Sequence, residues 1–104
     1  MMQKITQKDP TATLLIAESL GEGPACKKGD QDIYGKGCLA AFRAKILGLE
    51  VVLVEFDSAE NAKATARFLQ QWSVKNWLLD EVTGERPLEI FFQESLEASF
   101  CCSK

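Results

Sequence analysis

The run Val51-Val52-Leu53-Val54 is apolar at four successive positions and rich in β-branched side chains, which marks residues 49–56 as the clearest strand. A turn at Leu47-Gly48 joins it to residues 38–46, where Cys38, Ala40, Phe42, Ala44 and Ile46 alternate with Leu39, Ala41, Arg43 and Lys45. That period of two predicts a second strand, although the alanines also suit a helix. Over residues 57–72 the period changes. Ala62, Ala66, Leu69 and Trp72 recur at helical spacing with Phe68 beside them, while Lys63, Arg67 and Gln70 face water. Asp57 and Glu60 give this helix a capping-box-like start. Residues 76–82 and 87–93 read as a hairpin around Thr83-Gly84-Glu85-Arg86, with Leu88, Ile90 and Phe92 on one side and Glu89 and Phe91 on the other.

Near the N-terminus, residues 9–20 read as a helix. Asp9 suits the N-cap, Pro10 the first helical position and Gly21 the stop, and Ala12, Leu15, Ile16 and Leu20 form one stripe. Thr11, Thr13 and Ile16 also tolerate a strand over 12–18. Residues 94–100 read as a short terminal helix. The resulting order is helix, strand, strand, helix, strand, strand. It predicts a single α+β domain over residues 1–104, a two-layer sandwich with an antiparallel sheet of about four strands and two helices on one face. Reading 12–18 as strand and 38–47 as helix gives a ferredoxin-like variant instead.

Hydrophobic residues make up 46% of the chain and charged residues 26%, a balance that excludes a disordered protein. Its apolar runs fall well short of the roughly 20 residues that a membrane-spanning helix needs. Residues 1–9 carry no apolar segment directly after Lys4, so no secretory leader is expected. Net charge is −3, and residues 80–97 hold six carboxylates against Arg86 alone. An acidic surface disfavours nucleic acid and would steer a basic partner inward. Histidine is absent. A Ser-His-Asp triad or Cys-His pair therefore cannot be built from this chain, and no cofactor or metal is expected. Without an export signal, Cys26, Cys38, Cys101 and Cys102 are expected as cytoplasmic thiols; a Cys26–Cys38 disulfide is the alternative for an exported protein.

Five of the seven glycines lie in residues 21–37, a long loop of the kind that often carries function. Two motifs are approached there and missed. Five residues rather than four separate Gly29 from Gly35-Lys36, and Gly37 stands where a phosphate loop needs Ser or Thr. Asp30, Asp32 and Gly35 match the start of a calcium loop, but its twelfth position is Ala41 rather than Glu. Lys27 and Lys28 beside Cys26 would lower a thiol pKa. Cys101-Cys102 matches no zinc spacing.

The sheet supplies the stronger functional clue. Residues 49–56 are apolar on both faces until Glu55, Phe91 opposes Leu88, Ile90 and Phe92, and Trp77 and Leu78 point to opposite sides. Both faces need cover, from a second copy, a ligand or a folded-over stretch of the same chain. The expected function is that of a small, acidic, non-enzymatic interaction domain acting as a homodimer through its open face, with a protein partner or a small apolar ligand. The alternatives are an enzyme or ligand-binding subunit with its site between that face and loop 21–37, and an acidic antagonist of a basic protein. Candidate contact residues are Cys26, Lys28, Asp30, Asp32, Tyr34, Lys36, Trp77 and Phe91.

Overall fold

A computed structural model of the protein describes residues 2–15, 26–28 and 31–102. In chain order the elements are α1 (Met2–Lys8), β1 (Thr13–Leu15), β2 (Lys27–Lys28), β3 (Gln31–Asp32), β4 (Cys38–Ile46), β5 (Leu49–Phe56), α2 (Ala59–Leu69), β6 (Trp72–Val74), β7 (Trp77–Asp80), α3 (Arg86–Leu96) and β8 (Ser99–Phe100). The class is α+β. Among the described residues, six strands form one antiparallel sheet in the order β1-β4-β5-β7-β6-β8, while β2 and β3 make a separate small hairpin.

The centre of the sheet follows directly from the sequence. Leu47 and Gly48 both take left-handed backbone angles (φ 54° and 78°), the conformation of a tight two-residue hairpin turn, and β4 runs back along β5 from there. A left-handed leucine is costly by about 1–2 kcal/mol. The Asp9 carboxylate helps to hold it, accepting from the Leu47 amide at 2.8 Å. Because successive β5 side chains alternate, Val51 and Leu53 join Ile5, Ile46, Leu79, Leu88 and Phe92 in one core, and Val52, Val54 and Phe56 join Ala62, Ala66 and Leu78 in another.

Helices therefore lie on both faces of the sheet, α1 and α3 on one and α2 on the other, rather than together on one side. Most of the apolar side chains on both faces are covered by the chain itself, while Leu39 and Phe42 of β4 stay exposed. The open face expected to bury against a second copy is covered.

Four stretches depart from the sequence reading, one of them at residues 70–72, where the expected helix has already ended and Trp72 opens β6. Residues 87–93 are not a strand: they lie in α3, where Leu88, Phe91, Phe92 and Leu96 make the buried stripe and Ile90 is exposed. Adjacent phenylalanines fit a period of two and of 3.6 alike, and Pro87 is at home in a first helical turn. The true hairpin partner of β7 is β6, joined through Lys75 and Asn76.

Asp9-Pro10 ends a helix instead of starting one. The Asp9 amide donates to the Ile5 carbonyl, and its carboxylate accepts from the amide and hydroxyl of Thr11 at 3.1 and 2.6 Å. Pro10 has no amide with which to continue α1. Residues 13–15 then pair with β4; residues 16–20 lie outside the described residues. Since 38–46 is strand, the ferredoxin-like alternative fails as well.

At the C-terminus, residues 99–100 pair with β6 where a helix was expected. The N-cap of α2 is Ser58, which accepts from the Asn61 amide at 3.2 Å; Asp57 instead accepts from the Asn61 side chain at 2.8 Å. The cysteines are not thiols. Cys26 is bonded to Cys38 with Cα atoms 5.6 Å apart, and Cys101 is bonded to Cys102.

Candidate functional site

The Cys26–Cys38 bond ties the interior of the long loop to the first residue of β4, and residues 32–37 form a strap along the α2 side of the sheet. Four hydrogen bonds fix the strap. The Ile33 amide donates to the Cys26 carbonyl at 2.8 Å and the Asp57 amide to the Gly37 carbonyl at 2.8 Å. The Thr65 hydroxyl donates to the Tyr34 carbonyl at 2.7 Å, and the Tyr34 hydroxyl to Asp80 Oδ2 at 2.8 Å. Tyr34 is only 8% exposed and closes the second core beside Val52, Val54 and Leu78.

Burial, first, and the carboxylate of Asp80, second, push the Tyr34 phenol well above its ordinary value of 10. It stays protonated throughout the neutral range and donates only to Asp80. Arg43 lies between Glu81 (3.4 Å) and Glu50 (3.7 Å) nearby. The Tyr34–Asp80 bond thus locks the strap to β7, and the Arg43–Glu81 pair ties β4 to the residue after β7.

A cleft of about 260 Å³ remains between the strap and α2, lined by Asp32, Ile33 and Lys36 on one wall and Asn61, Ala64 and Phe68 on the other. Phe68 is 86% exposed and Ile33 46%. The cleft is thus apolar at both lips, with Asp32 and Lys36 adding opposite charges. Asp32 also pairs with Lys27 at 3.9 Å across the β2–β3 hairpin.

Of the residues expected from sequence, Asp32, Tyr34 and Lys36 come together here, Tyr34 as the buried floor rather than a contact. Cys26 is consumed by its disulfide, so it is no nucleophile. For Lys28 only the backbone, in β2, is described, and Asp30 lies outside the described residues. Phe91 is buried between α3 and the sheet. Trp77 is half-buried on the opposite side of the molecule, its ring 6.2 Å from that of Phe42, beside a second cleft of about 310 Å³ that Lys4 and Lys75 also line.

Sequence reasoning passed over Phe68, Ile33 and Ala64. The signal for Phe68 was present: a large aromatic off the Ala62-Ala66-Leu69 stripe has no core to enter. The role of Ile33 depended on where the strap lands, which the loop's composition does not specify. No family model, curated protein or solved structure matches the chain.

Proposed function

We propose that this protein is a small non-enzymatic interaction module that acts as a homodimer through the cleft between the strap and α2. The observation that carries the reading is the exposure of Phe68 beside Ile33 and Ala64. Burying a phenylalanine side chain is favourable by about 1.5–3 kcal/mol, and two-fold symmetry buries each copy's Phe68 in the other's cleft. Asp32 and Lys36 on one rim let the surface meet itself without a block of like charge.

Size-exclusion chromatography with light scattering tests the proposal. Wild-type protein is expected at twice the chain mass of 11.5 kDa, with dissociation on dilution. Phe68→Asp should be monomeric with an unchanged circular dichroism spectrum. Ile90→Asp, on the exposed side of α3, should remain a dimer. A wild-type monomer at the highest soluble concentration, or a dimeric Phe68→Asp, overturns the proposal.

The acidic-antagonist alternative has less support. Within residues 80–97, Asp80 accepts from Tyr34, Glu81 pairs with Arg43, and Glu89 accepts from the Trp72 indole at 3.3 Å and pairs with Arg86 at 3.6 Å. The expectation of a cytoplasmic setting rested on the lack of an export signal, and reduced thiols were its consequence. A closed Cys26–Cys38 bond fits an oxidising compartment better.

A further inference from the structure

On the far side of α2 from the strap cleft, Lys63 and Arg67 stand one turn apart above the edge of the sheet. Beneath them Ser73 of β6 and Ser99 of β8 are directly paired across the two strands, so their side chains share a face. With Phe100 and Cys101 these residues line a pocket of about 130 Å³ that is open to solvent on one side. One water needs only about 10–15 Å³ of such space, so the cavity is of a size for a small polyatomic group.

Three observations converge on what that group is. Ser73 is a buried residue whose hydroxyl makes no hydrogen bond among the described residues, so it is free to donate to a ligand. Neither Lys63 nor Arg67 has a carboxylate partner among the described residues, whereas Arg43 and Arg86 both do. Finally, no Asp or Glu among the described residues lines the cavity, although the chain as a whole is acidic. Ammonium and guanidinium groups donate and never accept, and each serine can donate as well. Four donors around one small cavity complement a group that only accepts, and charge assistance strengthens each such bond.

We propose that this cavity is a binding site for a tetrahedral oxyanion, a phosphate group held by Lys63, Arg67, Ser73 and Ser99. The pocket is of a size for one phosphoryl group. The tail closes it: the Cys101 amide donates to the Gln71 carbonyl at 3.1 Å, and the Cys102 sulfur lies 4.0 Å from the Arg67 carbonyl. The site does not depend on the dimer surface proposed above.

The test is a backbone-amide NMR titration of the full chain with inorganic phosphate, O-phosphoserine and sulfate, each at constant ionic strength made up with chloride. Saturable shifts are expected at Ser73, Ser99 and Cys101. Lys63→Gln/Arg67→Gln should weaken phosphate binding by about tenfold or more, and Ser73→Ala by several-fold. Lys45→Gln, an exposed lysine on β4, should change nothing. O-phosphoserine affinity should rise as its second proton leaves near pH ~6, and inorganic phosphate affinity as its own second proton leaves at higher pH, while sulfate affinity stays flat. Tighter binding of O-phosphoserine than of inorganic phosphate identifies a phosphorylated ligand as the source, and the reverse identifies free phosphate. Non-saturating shifts spread over the surface lysines, or a double variant that binds like the wild type, overturn the proposal.

Discussion

Tyr34 is the side chain on which the strap depends, and its chemistry predicts how the protein responds to pH. The folded protein holds the phenol proton above the ordinary pKa of 10, through burial and then the Asp80 carboxylate. The unfolded chain releases that proton near 10. The stability so conferred is complete below pH 10 and is lost as pH rises through the higher folded value. Asp9 acts with the opposite sign. Hydrogen bonds from Thr11 and Leu47 hold its pKa below 3.8, so its contribution is complete above that value and is lost as pH falls through the lower folded one. Urea midpoints measured across pH should therefore fall at both extremes. Tyr34→Phe should flatten the alkaline arm and leave the acid arm in place. Tyr34 is the chain's one tyrosine, so tyrosinate absorbance reports it directly. A native protein that ionises it at pH 10 contradicts the assignment.

At the level of elements, the join between strap and helix is made at Gly37. It adopts φ +87°, and a Cβ there would run into the side chains of Asp57 and Asn61 at the start of α2. Its carbonyl accepts the Asp57 amide, so backbone movement to relieve the clash would break that bond. Gly48, at φ +78°, has open space around it. Gly37→Ala should therefore cost more than Gly48→Ala in chemical denaturation, about 2–4 kcal/mol against about 1–2 kcal/mol for the left-handed backbone alone. Equal losses would mean that the strap does not bear on α2. The elements that sequence could specify are those in which only one period fits. For β5 and α2 there was no rival pattern. For α3, Leu88, Ile90 and Phe92 mimic a strand while Leu88, Phe91, Phe92 and Leu96 make the stripe that is used, and only contact with the sheet selects between them.

For the molecule as a whole, the Cys26–Cys38 bond is what keeps the strap against its face. The two residues are 12 apart in sequence, and closing a loop of that size stabilises by about 2–3 kcal/mol. Cys26→Ser/Cys38→Ser should lower the urea midpoint accordingly and let the Tyr34 phenol ionise nearer to 10, because the strap then lifts more readily from the core. An unchanged midpoint and an unchanged phenol titration would show that the four strap hydrogen bonds suffice without the crosslink. Both proposed binding surfaces flank α2, one on the strap side and one on the β8 side, and neither could be read from composition or motif.

By itself, the sequence determined that a strand over residues 49–56 with apolar residues on both faces is present, that α2 packs its alanine stripe inward, and that no imidazole is available for proton transfer; it favoured β4 as the strand turning back at Leu47-Gly48 without excluding a helix there. These follow from local rules of period, backbone angle and residue inventory. The tertiary structure decided which chain segments cover each face, which cysteines meet, and which surfaces stay open. Each of those depends on residues distant in sequence: Tyr34 reaching Asp80, Phe68 finding Ile33 across a cleft, and Ser73 meeting Ser99 beneath Lys63 and Arg67. Local pattern fixes how a segment folds but leaves open what it will lie against.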